Sequence, residues 1–459
     1  MNITPTTWVR VALTASVFAL LLLADGRIDV LYGDASQYWQ LSIKFYKTFS
    51  HTEHFSFYNF NDATRGYLFP LTLFPAYIFC YLTKVPPAFL TKAMGVFWAT
   101  LLFAWVLPAF WQNLTGRPYR QSMVSFVLML GFVAWSWGNY FAYPITDFPA
   151  ITLFLLALLC LRFKTLGAWL LAGIAFAAVL NFRPIYLAAT PGVALLIAHQ
   201  VHQARKTVFL RLSGFIIGIC FIFLPQFLIN THNFHSYSPL VLGRHDTHTS
   251  MYQWHLAWGM RVQKFESVIV SDPQHIKLIV TKDPLGEQLL REATGGNPFN
   301  STQQYALFVL KHPVDFSTLF ARHLFYNLII KYPVAYLLNT DTKGTLFLIV
   351  NFSTLFFGII MLKRVRAKPN VLFQLIALLL VVAAALPLVG EPRFVMPLHL
   401  LLAAAAFGAT PPAWWRLMRT KTRVRNQLAT AYCIWMLGCL IIAGTADSQT
   451  YLEPINFFQ

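Results

Sequence analysis

Residues 8–24, WVRVALTASVFALLLLA, form the first of a series of apolar runs that decide the fold of this chain. A membrane helix needs roughly 20 apolar residues, and about 17 are tolerated. The chain of 459 residues is 57% hydrophobic and 11% charged, with a mean hydropathy of +0.55. The sequence therefore predicts a polytopic membrane protein. We expect the first run to be retained as a helix, because no small-residue cleavage site follows it.

Further apolar runs follow along the whole chain, and they predict an all-α polytopic membrane protein with about 11 transmembrane helices. The outward loops between these helices are expected to carry interfacial helices. The predicted spans are residues 8–24, 88–111, 122–139, 148–161, 166–182, 185–199, 212–229, 345–362, 371–389, 395–409 and 428–444.

The net charge of +18 is concentrated in short loops between apolar runs, where it indicates orientation and contact with membrane lipids rather than with nucleic acid. Such loops lie on the cytoplasmic side. Five of them are basic, and their residues are Arg117 and Arg120; Arg162 and Lys164; Arg205, Lys206 and Arg211; Lys363, Arg364, Arg366 and Lys368; and Arg416, Arg419, Lys421, Arg423 and Arg425. The alternating connections are then predicted to face outward. Residues 68–82 are apolar, but a full crossing there would break this alternation, so we expect a helix that does not cross.

Two outward regions are long enough to hold structure of their own. The first region, residues 25–67, is the predicted catalytic loop and belongs to an amino-terminal membrane core at residues 1–229. Residues 37–49 within it suit an amphipathic interfacial helix. The second region, 230–344, is a large outer-face loop in which residues 316–338 suggest a surface-lying helix. Residues 345–459 are predicted to form carboxy-terminal membrane helices.

Two acids lie at the outward ends of apolar runs. Asp34 is the centre of YGDASQY at residues 32–38, and Asp147 precedes the fourth predicted span. A carboxylate at such a place can act as a general base or hold a divalent metal ion. The simpler alternative is capping, because residues 33–36 suit a helix start and Pro149 suits the first turn after Asp147. Two acids on one predicted face favour a shared site.

Three arginines lie on the same predicted face, namely Arg65, Arg183 and Arg393. Arginine is disfavoured in short outward connections, and its guanidinium group suits a phosphate. The alternatives are contact with lipid headgroups or pairing with a carboxylate such as Glu391.

Histidine and aspartate occur together in RHDTH at residues 244–248. These residue types can ligate a metal ion. The alternative is a polar loop that is merely rich in histidine, so the sequence leaves both a metal and its ligands open.

As an ordered set, these motifs resemble the GT-C class of polyprenyl-phosphate-sugar-dependent glycosyltransferases. The similarity is strongest to the group of protein O-mannosyltransferases and lipid A aminoarabinose transferases. It rests on the acid of the first outward loop, the interfacial helix, RGYLFP at residues 65–70, the second acid, the Arg-Pro pair at residues 183–184, and Arg-Phe followed by Pro397.

The resemblance implies roles for individual residues. Asp34 matches the catalytic acid of the first loop, and Asp147 matches the second acid. Arg65 matches a basic residue ahead of a proline-containing helix, and Arg393 matches an arginine near the carrier phosphate. Tyr38 and Arg183 complete the expected substrate-binding set, which is Tyr38, Arg65, Arg183 and Arg393. Asp34 stands alone where several relatives carry an acidic pair, so a divalent metal ion is an open alternative.

The resulting expectation is a transferase in a bacterial cytoplasmic (inner) membrane, with its active site facing the periplasm. It would move a sugar from a polyprenyl-phosphate donor to a lipid, glycan or protein of the cell envelope. Two alternatives stay open: a flippase or transporter of lipid-linked sugars, and an envelope glycan polymerase or ligase.

Overall fold

The computed structural model describes most of the chain and is mainly helical. The described residues are 5–24, 31–46, 54–116, 123–202, 208–244, 250–269, 276–337, 344–366, 368–408, 422–447 and 450–454. The predicted metal cluster at residues 245–248 therefore lies outside the described residues. So do Arg117, Arg120, Arg205, Lys206, Arg416, Arg419 and Lys421 of the predicted basic loops.

The α-helices in chain order are α1 (Pro5–Ala24), α2 (Gly33–Lys44), α3 (Leu68–Thr83), α4 (Pro87–Thr100), α5 (Leu107–Thr115), α6 (Met123–Trp137), α7 (Asp147–Cys160), α8 (Leu166–Phe182), α9 (Thr190–His202), α10 (Val208–Phe234), α11 (Met251–Arg261), α12 (Pro284–Thr294), α13 (Thr302–Lys311), α14 (Pro313–Leu328), α15 (Gly344–Met361), α16 (Pro369–Ala385), α17 (Met396–Phe407) and α18 (Thr422–Asp447). A π-helical segment, Leu101–Val106, joins α4 to α5. Short 3-10 segments are Phe57–Asn59, Gly138–Ala142, Pro184–Ala189, Leu362–Arg364 and Pro392–Val395.

Seven helical segments in the described part of the chain are long and apolar enough to cross a membrane. This protein is therefore a polytopic helical membrane protein. The seven are Thr6–Ala24, Pro87–Thr115, Met123–Ala142, Pro184–His202, Val208–Phe234, Gly344–Arg364 and Arg425–Gly444. Shorter apolar helices are Leu68–Thr83, Asp147–Cys160, Leu166–Phe182, Pro369–Ala385 and Pro392–Phe407.

The helices run between two distinct ends of a bundle. At one end, the backbone N–H of Arg366 donates to the carbonyl of Leu114 (3.0 Å), so a predicted basic loop lies where α5 finishes. Near this end the buried amides of Asn113 and Gln374 hydrogen-bond to each other, and Gln374 also donates to the Leu158 carbonyl (3.2 Å). The opposite end carries Asp34 and the other predicted site residues, and we call it the site end.

Close packing of α8 on α10 fixes one side of the site end. A Cβ at Gly173 would meet the backbone of Phe215, and one at Gly218 would meet the backbone of Leu170. Small residues at such contacts let helices approach closely in a membrane. This approach lets Asn181 near the end of α8 donate to Gln226 of α10 (2.9 Å).

The two helices after α1 lie together at the site end. Helix α2 starts four residues before the predicted interfacial helix at 37–49 and ends at Lys44; Phe49 lies outside the described residues. Trp39 of α2 packs against Tyr77 of α3, with ring centroids 6.3 Å apart. The N–H of Leu68, which begins α3, donates to the Asn181 side chain (2.9 Å). The first residue of α3 and its later part thus both contact elements of the site end.

A small outer layer covers the site end. It contains α11 to α14 and an antiparallel sheet of β1 (Val262–Ile269), β2 (Ile276–Lys282) and β3 (Thr450–Pro454), in that order. The sheet is a departure from the all-α prediction. The surface helix predicted at 316–338 is present as α14, which starts earlier because Pro313 occupies its first turn and which ends at Leu328.

Candidate functional site

Asp34 lies in the first turn of α2, just after a glycine in a left-handed conformation. Gly33 has φ +48°, and a Cβ there would lie 3.0 Å from the ring of Tyr336. Tyr32 occupies the cap position of α2, so Asp34, the second residue of the helix, is not the capping residue. A carboxylate in a first helical turn is stabilised by the helix dipole. The tight turn therefore holds the Asp34 carboxylate at a fixed place at the site end.

Arg65 reaches Asp34 from the loop before α3. Its Nη2 donates to Asp34 Oδ1 (2.7 Å), and its Nε and Nη2 both donate to Gln37 Oε1 (3.3 and 3.2 Å). The loop is shaped by Asp62, whose Oδ1 accepts from the backbone N–H groups of Thr64 and Arg65 (2.9 Å each). The guanidinium group also lies over the ring of Tyr38, 5.3 Å from its centroid. Asp34, Arg65 and Tyr38 thus form one contact group.

Asp147 begins α7 and is paired with arginines rather than used as a cap. Its side chain is only 2% exposed and forms an ion pair with Arg183, the residue that follows α8. The helix is preceded by Thr146, which makes no side-chain capping bond. The Thr146 hydroxyl instead lies 3.5 Å from the Tyr38 hydroxyl. This contact joins the second acid to the first contact group.

Arg393 connects the acids to one another. Its guanidinium nitrogens lie 3.2 Å from Asp34, 3.4 Å from Asp147 and 2.6 Å from Glu391. The backbone of this segment is held by β1, because Gly390 accepts from the N–H of Phe265 (3.0 Å) and donates to the carbonyl of the residue two positions earlier in the strand (3.0 Å). Pairing of Arg393 with Glu391, an alternative raised by the sequence, is therefore present together with contacts to both site acids.

The positive charges control the ionisation of Asp34. Burial raises the pKa of its carboxyl group, but the nearby charges of Arg65, Arg393 and Arg183 outweigh burial and lower the pKa to about 2. Burial raises the pKa of Glu391 above its usual value, although Arg393 opposes this shift. Asp34 is therefore a carboxylate at neutral pH, held by cations on two sides.

All six predicted site residues line one cavity of about 410 Å³. They come from separate parts of the chain and meet only through folding: Asp34, Tyr38, Arg65, Asp147, Arg183 and Arg393. The ionic residues among them contact one another within the cavity lining. Residues of α11, β1 and β2 contribute aromatic and apolar side chains to the rest, including Trp254, Trp258 and Phe265.

No protein-family model, curated protein or solved structure matches this chain. The catalytic and substrate-binding roles of the six residues accordingly stay predictions, and the support for them is that all six line the same cavity.

Sequence reasoning did not select the part of the cavity wall that α11 supplies. Met251, Trp254, His255 and Trp258 all line the cavity. Their spacing of i, i+3, i+4 and i+7 is that of one helix face, so the signal was present in the sequence. Tyr336, which packs on Gly33 and also lines the cavity, was missed as well.

A metal ion stays an open alternative. Among the described residues, no group of three or more histidine, cysteine, aspartate or glutamate side chains is arranged to hold one. Asp34 and Asp147 each contact arginines, and a metal ion at either carboxylate would have to compete with those guanidinium groups.

Proposed function

We propose that this protein is an integral-membrane glycosyltransferase that moves a sugar from a polyprenyl-phosphate donor to an acceptor of the cell envelope. The observation that carries the proposal is the meeting of three arginines and two aspartates in one cavity at an end of a membrane-helix bundle. A lipid-linked phosphate is a substrate whose charged group lies at a membrane face and whose tail lies among apolar helices. The cavity has guanidinium groups at the end of the helix bundle, where the charged group of such a substrate would lie.

Donor binding would use the arginines as phosphate ligands. Arg65, Arg183 and Arg393 have side chains that are 25%, 18% and 15% exposed, so each is partly accessible from the cavity. In the structure their donors are engaged by aspartates, which keep the guanidinium groups in place. A bound phosphate would take over some of these hydrogen bonds. Prior positioning of this kind lowers the entropic cost of the reaction.

Asp34 would act as the general base. The acceptor oxygen attacks the anomeric carbon, the bond from that carbon to the phosphate oxygen breaks with its electron pair, and the acceptor proton passes to Asp34. The sugar is transferred with inversion, and the polyprenyl phosphate leaves as an anion. A pKa of about 2 makes Asp34 a weak base. A bound donor phosphate that draws Arg65 and Arg393 toward itself would raise this pKa and strengthen the base.

The membrane arrangement that fits this function has eleven crossings. The seven long segments and four shorter helices, α7, α8, α16 and α17, would each cross the membrane, while α3 would stay at the site end. The described basic residues of the predicted cytoplasmic loops then lie opposite the cavity, which faces outward. In a bacterial inner membrane the cavity would open to the periplasm, where lipid, glycan or protein acceptors are accessible.

Reconstituted sugar transfer tests the proposal. Proteoliposomes receive a panel of radiolabelled polyprenyl-phosphate sugars and an envelope extract, and labelled acceptor is measured for wild type, Asp34→Asn and Asp315→Asn. Asp315 is the matched control, an aspartate of the outer layer that is 42% exposed and outside the cavity. Loss of a general base should lower transfer by about 10²- to 10⁴-fold, and the control should retain it.

Equal transfer by wild type and Asp34→Asn would refute the role of Asp34. If wild type transfers no sugar, while cells that lack the protein accumulate lipid-linked sugar on one leaflet, the flippase alternative replaces the transferase.

A further inference from the structure

Helix α11 has two faces with different surroundings. Leu256, Ala257 and Met260 are buried in a cluster with residues of α12 and α14. Met251, Trp254, His255 and Trp258 lie on the other side and line the cavity. Trp258 packs on Phe265 of β1, with ring centroids 4.7 Å apart. Trp254 and His255 are not part of the apolar clusters of described residues that hold α11 in place.

The position of α11 is fixed at both ends. A capping box between Ser250 and Gln253 begins the helix, and the Gln253 side chain also donates to the Asn300 carbonyl (2.8 Å). Near its end, a Cβ at Gly259 would lie 2.4 Å from the carbonyl oxygen of Pro387. The cavity face is consequently a rigid surface, which is the kind of wall that a ligand site requires.

Two groups on this face are available to a ligand. Trp254 is 43% exposed although it lines the cavity. His255 is partly buried, and its Nδ1 is a buried atom without a hydrogen-bond partner among the described residues. A buried polar atom of this kind is normally paired. The charges of Arg65, Asp34, Arg183 and Arg393 also influence His255, which places the imidazole near these ionic residues.

Burial lowers the pKa of His255 to about 4, and the three arginines contribute to the shift. The imidazole is therefore neutral at physiological pH, so it can both donate and accept a hydrogen bond. A neutral imidazole beside an indole suits a ligand group that has hydroxyls and C–H faces. A sugar ring has both, and the negative π face of an indole attracts its polarised C–H groups.

Resting on the proposed function, we infer that the cavity face of α11 is the subsite for the glycosyl group of the donor, with Trp254 stacking on the sugar ring and His255 hydrogen-bonding to a sugar hydroxyl. The glycosyl group is bonded directly to the phosphate, so its subsite must adjoin the phosphate ligands. The α11 face meets this requirement, because its residues line the same cavity as Arg65, Arg183 and Arg393 and His255 lies within the electrostatic influence of all three arginines.

A binding experiment separates this inference from the proposed function. Calorimetry on the full-length protein in detergent measures the affinity for farnesyl phosphate and for farnesyl phosphates that carry mannose, glucose, galactose or arabinose. For wild type, at least one sugar should improve the affinity over farnesyl phosphate by about tenfold. One stacking contact and one hydrogen bond each correspond to about three- to tenfold in affinity.

The variants identify the residues responsible for that gain. Trp254→Ala and His255→Ala should each remove about three- to tenfold of the sugar-dependent gain and leave the affinity for farnesyl phosphate unchanged. His255→Gln should restore part of it, because glutamine also donates and accepts without charge. Tyr252→Ala is the matched control, an aromatic residue of α11 that is 40% exposed and does not line the cavity.

Each outcome decides the inference. A sugar-dependent gain that survives Trp254→Ala and His255→Ala refutes the subsite, and so does an equal loss in Tyr252→Ala. If wild type binds farnesyl phosphate but gains nothing from any of the four sugars, the subsite is refuted and the phosphate site stands. If wild type does not bind farnesyl phosphate at all, the proposed function itself is refuted, and the subsite with it.

Discussion

Replacement of Arg393 by glutamine should destabilise the protein in a way that depends on Glu391. Arg393 contacts three carboxylates, at 2.6 Å for Glu391, 3.2 Å for Asp34 and 3.4 Å for Asp147. Asp34 would keep its pair with Arg65, and Asp147 would keep its pair with Arg183. Glu391 has no second ion-pair partner among the described residues, and its side chain is only 7% exposed. The variant therefore leaves one buried acid unpaired.

The magnitude follows from this geometry. At an effective dielectric of about 20, a contact of 2.6 Å corresponds to a gross attraction of about 6 kcal/mol. Much of this is offset by desolvation, so removal of one partner of a buried pair costs about 3–5 kcal/mol. Arg393→Gln/Glu391→Gln removes the unpaired charge and should recover about half of the loss. Glu391→Gln alone should change the free energy of unfolding by less than about 1.5 kcal/mol, because Arg393 keeps two aspartates.

The pH dependence has a definite sign. The pKa of Glu391 is raised in the folded protein, so the folded state binds a proton more tightly than the unfolded state in the interval above the ordinary pKa of 4.5. Stability then falls as pH rises through this interval. Loss of Arg393 raises the pKa further, so the difference in stability between wild type and Arg393→Gln should increase with pH.

Unfolding in detergent, followed by tryptophan fluorescence at pH 5 and pH 8, measures these differences for wild type, both single variants and the double variant. Arg291→Gln is the control, since Arg291 is 71% exposed and pairs with Glu287 on the outer layer; an exposed pair contributes about 0–1 kcal/mol. The reasoning is wrong if the double variant is no more stable than Arg393→Gln, or if the loss is larger at pH 5 than at pH 8.

Three further predictions concern the site and the bundle. Arg65→Gln should raise the pKa of Asp34 from about 2, so an acidic limb should appear in the pH profile of kcat/KM for transfer; a profile like that of wild type would contradict this. Gly33→Ala should cost about 1 kcal/mol more in thermal unfolding than Gly295→Ala, because both have positive φ but only Gly33 would meet a neighbouring side chain; equal costs would exclude that contact. Gln374→Leu should lower the free energy of unfolding by about 1–3 kcal/mol, since it leaves a buried asparagine amide unpaired. Replacement of both amides by leucine should recover stability, and a double variant as unstable as Gln374→Leu would contradict the importance of this pair.

The charged residues around the cavity could be predicted from the sequence because a membrane restricts where charge can lie. Asp34, Asp147 and Arg183 stand next to apolar runs, and a charged residue at such a place lies at an end of a helix rather than along it. Ends of successive spans alternate between two faces, so residues distant in sequence could be assigned to one face. The assignment did not supply distances, and the hydrogen bonds of Arg393 to separate acids required the folded structure.

Other parts of the outer layer could not be predicted for physical reasons. Strand β3 (Thr450–Pro454) pairs with β2 (Ile276–Lys282), although more than a hundred and fifty residues separate the two strands in the sequence. A local pattern does not reveal such a pairing, because register depends on which strand is adjacent. The helical spacing of Trp254 and His255 could identify a common face of α11, but not whether that face meets the core or a cavity. The ends of spans also shifted by a few residues, as at α16, where Pro369 defines the start.

Strand β1 acts as a partition between two compartments. Phe265 and Ser267 line the large cavity, whereas Lys264 and Glu266, which pair at 2.7 Å, line a smaller cavity of about 70 Å³ beside α14 and α15. Side chains alternate along a strand, so a slip of one residue would exchange the two sets. The larger cavity would then receive the lysine and the glutamate, and the smaller cavity would receive the phenylalanine. Insertions or deletions in this strand should therefore be far more damaging than substitutions on either of its faces.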